Sequence, residues 1–339
     1  MQKTTRRSLL FISSLSIIPL CLSSGQRVIG THPPQADKKP SINRPSPKII
    51  TLIPQTNENN QWSWNGTVRS SPKPLAYSLV DGNLFGLKSS SGSTDISTQG
   101  NLHASIHLDQ MSKQGFIIGY PEIIYGYKPF GPLLSKQTPQ LQFPLKLAVV
   151  PQLWSIADYS VDTSKDPALA VDFAYDLWLT KDPSPTAIHK GDIELMIWTY
   201  HRNLKPAGAL IKDSRVEIPT LINGSVKNIH WIAYLSNVDS PTRTSILVSF
   251  VPDEDGNGSA ENGGFSKASV GVNVTEILKQ MVCLVTKNVG WSSSYVESLS
   301  INDIELGAEF GSKDNHAVFD WEVLNYRYVL GLPNAAVVE

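Results

Sequence analysis

Short stretches of alternating or β-rich character, among them LHASIHLD, FPLKLAVV, VDFAYDLWL, NIHWIAYL, TSILVSFV and VFDWEVLNYRYV, recur along the chain between clusters of Gly, Pro, Asn and Ser. Side chains on a strand alternate between two faces, so such runs predict half-buried strands. One segment, NVTEILKQMV, has helical spacing: Asn273 can cap it, and Val274, Ile277, Leu278 and Met281 fall on one stripe. Many strands and one helix predict an all-β chain, a jelly-roll sandwich of two antiparallel sheets with the helix on its back. There is no internal repeat.

The N-terminus reads separately from this pattern. Lys3, Arg6 and Arg7 precede the apolar run SLLFISSLSIIPLCL, the order of charge and hydrophobicity found in an export signal. Residues 1–24 are therefore expected to be a signal peptide, used by the general secretory or the twin-arginine route and removed. Cys21 has no small residue just before it, which argues against a lipid anchor. Residues 25–48 include THPPQADKKPSINRPSPK, with five prolines and almost no apolar side chains, and read as an extended spacer. The folded domain is expected over 49–339. The remaining cysteine, Cys283, cannot form an internal disulfide and is expected to be a buried apolar thiol, so stability must come from packing.

Composition narrows the partners. With 29 Lys and Arg against 30 Asp and Glu, the net charge of -1 provides no field to attract nucleic acid or an anionic membrane, and a neutral partner fits better. No transmembrane span is expected in the mature chain, which is read as a monomer. Sequons at Asn65, Asn223, Asn257 and Asn273 leave glycosylation open. The loop DEDGNG from Asp253 resembles the start of a calcium loop, but Gly264 stands where the twelfth-position glutamate belongs; it reads as a polar hairpin loop. No metal or organic cofactor is expected.

The stretch GDIELMIW, residues 191–198, carries chemistry. Ile193, Leu195 and Ile197 share one strand face, an ordinary core face; Asp192, Glu194, Met196 and Trp198 share the other. Carboxylates beside a thioether and an indole suit neither a dry core nor plain solvent, and predict the floor of a cleft. VDFAYDLW repeats the logic, with Asp172, Ala174, Asp176 and Trp178 on one face, as does NDIELGAEF, with Asp303, Glu305, Gly307 and Glu309. Aromatic rings stack on sugar faces, and two carboxyl groups flank a glycosidic bond during its hydrolysis. Asp303 and Glu305 are read as acids on a solvated outer face.

These motifs together resemble glycoside hydrolase family 12, the jelly-roll family of endoglucanases and xyloglucanases. YDLWLT followed by GDIELMIW and then IELGAEFGS carries the resemblance, which spans about Tyr77 to Tyr328. YSLVDGNLFG resembles the family's N-terminal substrate-contact strand, and GYPEIIYGYKPFG is similar to a segment of its thermophilic members. With the lack of disulfides and the low charge, that segment leads to the expectation of a thermophilic, archaeal-type member.

Position by position, the resemblance implies Glu194 as nucleophile, Glu309 as general acid/base and Asp176 as the partner of the nucleophile. Met196 and Trp198 would line the cleft. Asn83 matches a sugar-contacting asparagine, and Phe85 stands where the family usually has tryptophan. The implied activity is that of a secreted, retaining endo-β-1,4-glucanase acting on a β-glucan in a concave cleft. Preference for xyloglucan or mixed-linkage glucan stays open, and so does a carbohydrate-binding module that never cleaves.

Overall fold

The computed structural model describes residues 102–110, 117–129, 137–236, 245–253 and 262–333, together with the backbone of strands at 48–52, 54–56, 66–69, 78–81, 91–97 and 133–134. The principal strands are β1 (Lys48–Leu52), β2 (Pro54–Thr56), β3 (Ser78–Asp81), β4 (Ser91–Ser97), β5 (Leu102–Gln110), β6 (Glu122–Lys128), β7 (Leu153–Asp162), β8 (Leu169–Thr180) and β9 (Ile193–Arg202). They continue with β10 (Val216–Ile222), β11 (Ser225–Ser236), β12 (Ile246–Pro252) and β13 (Lys267–Asn273). Helices α1 (Val274–Val289) and α2 (Ser293–Ser298) precede β14 (Asp303–Gly307), β15 (Phe310–Ser312) and β16 (Ala317–Leu330).

One sheet curls into two layers, the jelly-roll sandwich expected of the sequence. The front layer runs β11–β12–β9–β8–β14–β6–β3–β2. The back layer runs β10–β13–β7–β16; the long β16 then pairs β5 along its first half and β1 along its second. The β10–β11 hairpin joins the layers. Most neighbours are antiparallel, but β9 and β12 are parallel, as are β2 and β3.

Alternation decides which side chains meet between the layers. Phe173, Tyr175 and Leu177 of β8, with Ile193, Leu195 and Ile197 of β9, pack in one cluster with Ala157, Tyr159 and Val161 of β7 and Phe319, Trp321 and Val323 of β16. Fully burying one such side chain is worth about 1.5–3 kcal/mol relative to leaving it exposed, so this interface contributes to holding the layers together.

Helix α1 begins where its cap predicts: the Asn273 side chain accepts from the Glu276 backbone N–H at 3.2 Å. It also runs seven residues past the expected segment, to Val289. Its stripe of Val274, Ile277, Leu278 and Met281 joins the main core cluster, whereas the apolar group of Trp154, Ile156, Leu221 and Val329 is separate. The helix packs against β7 of the back layer and extends the sandwich core. Asn273 is buried and also accepts from Gln152 Nε2 at 3.0 Å, so its sequon serves as a cap in the folded chain.

Other expectations change. A second, short helix, α2, is capped by Ser292, whose hydroxyl accepts from the Tyr295 N–H at 3.2 Å; six residues with no apolar stripe give no periodic signal. FPLKLAVV forms only a two-residue strand, Leu145–Lys146, followed by a 3₁₀ turn, Leu147–Val149. Cys283 is half-buried on α1. Asp253 accepts from Arg215 Nε at 2.6 Å; the following residues of its loop lie outside the described residues, as do Asn65 and Asn257. No described helix is long and apolar enough to cross a membrane.

Candidate active site

The front layer carries its acids on the face turned away from the core. On β8 this face holds Asp172, Ala174, Asp176 and Trp178, all buried. On β9, Glu194 lies opposite Trp178, Met196 opposite Asp176 and Trp198 opposite Ala174. Met196 and Trp198 are buried in a second apolar cluster with Ala170, Ala174, Leu204, Ile232, Tyr234, Leu247 and Val251, while Glu194 beside them is half-buried. Asp192 leaves this face. It precedes β9 and turns its carboxylate into the β8–β9 connection, accepting from the Lys181 N–H at 3.1 Å and the His189 N–H at 2.7 Å.

A bulge then changes the parity. Past Trp198 the register shifts, so that Phe173 faces Tyr200 and Asp172 faces His201. The Thr199 hydroxyl donates to the Phe173 carbonyl at 3.0 Å across this shift. His201 therefore joins the acid-bearing face, buried, with Nδ1 2.9 Å from the Leu204 carbonyl and its ring 5.6 Å from that of Trp198. Strict alternation assigns His201 to the core face, and nothing in the local sequence marks the extra residue.

Glu309 occupies the break between β14 and β15 and is half-buried. Its carbonyl accepts from the Asp172 N–H at 3.0 Å, fixing it beside Asp172. The break is held from the other side by Phe310 N–H donating to the Gly119 carbonyl at 3.1 Å and Ala308 N–H donating to the Pro121 carbonyl at 3.3 Å. Gly307 is required here: a Cβ would stand 2.4 Å from the Pro121 carbonyl oxygen. The glycine of the Gly-Ala-Glu motif thus permits the close approach that places Glu309.

Two carboxyl pairs result, both anchored on β8. Burial first, then the Glu194 charge, with further contributions from Glu305 and Asp303, holds Asp176 well above its ordinary 3.8; the Lys128 ammonium acts in the opposite direction. Burial first, then the Glu309 charge, holds Asp172 well above its ordinary 3.8. Between the pairs, the buried Tyr120 hydroxyl donates to the Ala174 carbonyl at 3.1 Å. Burial and the charges of Glu122, Asp176, Glu305 and Asp172 push its pKa up.

Asp303 and Glu305 depart from expectation. Both are buried, because β6 covers the edge of β14 that the sequence leaves open, with Glu305 opposite Ile124 and Gly307 opposite Glu122. Sequence reasoning gave no role to Asp172, Tyr120, Glu122 or Lys128. A detectable signal existed for the last two, since Glu122 and Lys128 share a strand parity within GYPEIIYGYKPFG. Asn83 and Phe85 lie outside the described residues. Among the described residues, no group of three or more His, Cys, Asp or Glu side chains is placed to hold a metal ion.

Carboxyl groups brought together on one sheet face are the side chains that hydrolysis of a glycosidic bond uses. The chain matches the glycosyl hydrolase family 12 model over residues 76–254, more than half its length. It belongs to that family. The matched stretch contains Asp176, Glu194, Met196 and Trp198; Glu309 lies beyond it and is tied to the site by its contact with Asp172. Solved structures similar in fold include a native family 12 xyloglucanase from Bacillus licheniformis, with 15% identity, TM-score 0.49, and coverage of 74% of this chain and 91% of that one. Endoglucanase 3 of Trichoderma harzianum gives 19%, 0.46, 73% and 88%. The Cel12A catalytic domain of Humicola grisea gives 16%, 0.46, 74% and 91%. Comparison with curated proteins returns no match.

Proposed function

We propose that this glycoside hydrolase is a secreted, retaining endo-β-1,4-glucanase. One observation carries the reading: on adjoining strands Asp176 lies diagonal to Glu194, and the Asp172 N–H bonds the Glu309 carbonyl at 3.0 Å, so two buried aspartates of β8 each neighbour a different glutamate. Double displacement needs one ionised carboxylate and one protonated carboxyl. Asp176, held protonated, can donate a hydrogen bond that keeps Glu194 ionised and oriented. Glu309, placed beside Asp172, would supply the proton.

In the first step Glu194 attacks the anomeric carbon and forms a glycosyl ester, the bond to the departing sugar breaks, and the Glu309 proton goes to its oxygen. In the second, Glu309 takes a proton from water, whose oxygen attacks the anomeric carbon and releases Glu194. Trp198 and Met196 offer apolar surface beside Glu194. Residues 1–24 would direct export, 25–48 would act as a spacer and 49–339 would form the catalytic domain.

Release of reducing ends from soluble cellulose tests the activity, with mixed-linkage glucan and xyloglucan as competing substrates. Glu194→Ala should abolish turnover. Glu309→Ala should recover part of its activity with azide on a substrate with a good leaving group, since azide needs no general base. Proton magnetic resonance of the first-formed product should show the β-anomer, and the α-anomer would refute retention. A protein that binds glucan but releases no reducing ends would be a binding module. N-terminal sequencing of exported protein should begin near residue 25.

A further inference from the structure

Beside the Asp176–Glu194 pair lies a buried charge cluster that the chemistry above does not use. Lys128, at the end of β6, is buried, and its ammonium bonds the Glu122 carboxylate and, at 3.3 Å, Glu305 Oε2. Glu122, Glu305 and Asp303 are buried too. The register places Glu305 directly opposite Asp176, and Asp303 Oδ1 accepts from the N–H of Trp178, the residue opposite Glu194. Glu122 and Lys128 are six residues apart on one strand. They meet because Gly126 adopts φ +123 in between, where a Cβ would stand 2.4 Å from the Asn302 carbonyl oxygen.

A buried lysine among several carboxyl groups is costly to maintain unless paired. Here the ammonium pairs with two glutamates, and one of them lies opposite Asp176. We propose, on the reading that Glu194 is the nucleophile, that Lys128 is a positioning residue: it fixes the Glu122 and Glu305 carboxyl groups in place, and with Glu305, opposite Asp176, it sets the charge that the Asp176–Glu194 pair meets.

The surroundings of the pair set the sign of the test. It is faced by Asp303 and Glu305 from β14, by Glu122 and Lys128 from β6, and by Tyr120 just before β6. Asp172 lies further along β8 with His201 opposite, Glu309 lies in the β14–β15 break, and Tyr234 belongs to the adjoining apolar cluster. Lys128 is the one lysine or arginine of this set. Its removal makes the pair harder to ionise; removal of the Glu305 charge makes it easier.

The experiment compares the parent enzyme with Lys128→Met, Lys128→Arg and Glu305→Gln. It records the pH dependence of kcat/KM on soluble cellulose and, separately, the titration of ¹³C-labelled carboxyl groups by magnetic resonance. The acid limb should move to higher pH by about 0.5–1 unit in Lys128→Met and to lower pH by a similar amount in Glu305→Gln, and stay near the parent in Lys128→Arg. A structural role alone would lower melting temperatures without opposite shifts. If Lys128→Met does not fold, Glu305→Gln and Lys128→Arg carry the test. Unmoved limbs, or limbs moving in the same direction, overturn the proposal. If the parent releases no reducing ends, the proposed function fails, and the carboxyl titrations alone decide whether Lys128 and Glu305 set the charge that the pair meets.

Discussion

Asp192 offers a measurement of how the strand bearing Glu194 is held. Asp192 is 3% exposed, and its carboxylate accepts from two backbone N–H groups, Lys181 at 3.1 Å and His189 at 2.7 Å. Its own carbonyl accepts from the Ile246 N–H at 3.2 Å, tying β9 to β12. Asp192→Ala keeps the backbone bond but strands both donors. A hydrogen bond to a charged group contributes about 1.5–3 kcal/mol, and since both amides are part-buried the lower figure applies, giving a loss of about 3 kcal/mol. In a domain of this size each kcal/mol lowers the melting temperature by about 2 °C, so the variant should melt about 6 °C below the parent. Its urea midpoint should fall with little change in slope. Asp182 serves as the control. It lies in the same connection and accepts from the Ser184 N–H at 2.9 Å, but it is exposed, and Asp182→Ala should melt within about 2 °C of the parent. Equal losses in the two variants would refute the argument, because burial would then have contributed nothing.

Three further outcomes follow from the carboxyl pairs. Asp176→Asn should fold normally, lose on the order of 10²-fold in turnover and show an altered acid limb; unchanged turnover would remove Asp176 from the site. In the Asp172–Glu309 pair each carboxyl makes the other harder to ionise. Asp172→Asn should then move the alkaline limb of kcat/KM to lower pH, and an unmoved limb would dissolve the coupling. Burial raises the folded-state pKa of Asp172, Asp176 and Asp303 above 3.8, so the folded chain holds their protons more tightly than the unfolded chain. Their contribution is full below the ordinary carboxylate range and is lost as pH rises through the raised values. The parent should therefore melt higher near pH ~4 than near pH ~8, and the Asp172→Asn, Asp176→Asn double variant should flatten that slope. A parent that melts higher at the alkaline end would contradict it.

Much of the site was legible because side-chain alternation is local. The face of β8, the Glu194–Trp198 part of the β9 face, and the cap and stripe of α1 all follow from a few neighbouring residues, and the fold keeps them. Legibility fails where a residue's surroundings come from a distant segment. Asp303 and Glu305 read as solvated, yet β6 buries them, and the ammonium that meets Glu305 stands 177 residues earlier in the chain.

His201 reaches the site only because the β8–β9 ladder takes in one extra residue, and a bulge is a property of the pair of strands, not of either alone. Asp192 reads as cleft floor by parity, but the strand starts one residue later and the connection claims its carboxylate. The sequence by itself determined which side chains alternate and therefore what each strand could offer. Tertiary structure decided which strands became neighbours, and with them which acids lost water and which glutamate each buried aspartate would face. Alternation costs nothing beyond local geometry, whereas burying a charge depends on every strand packed around it.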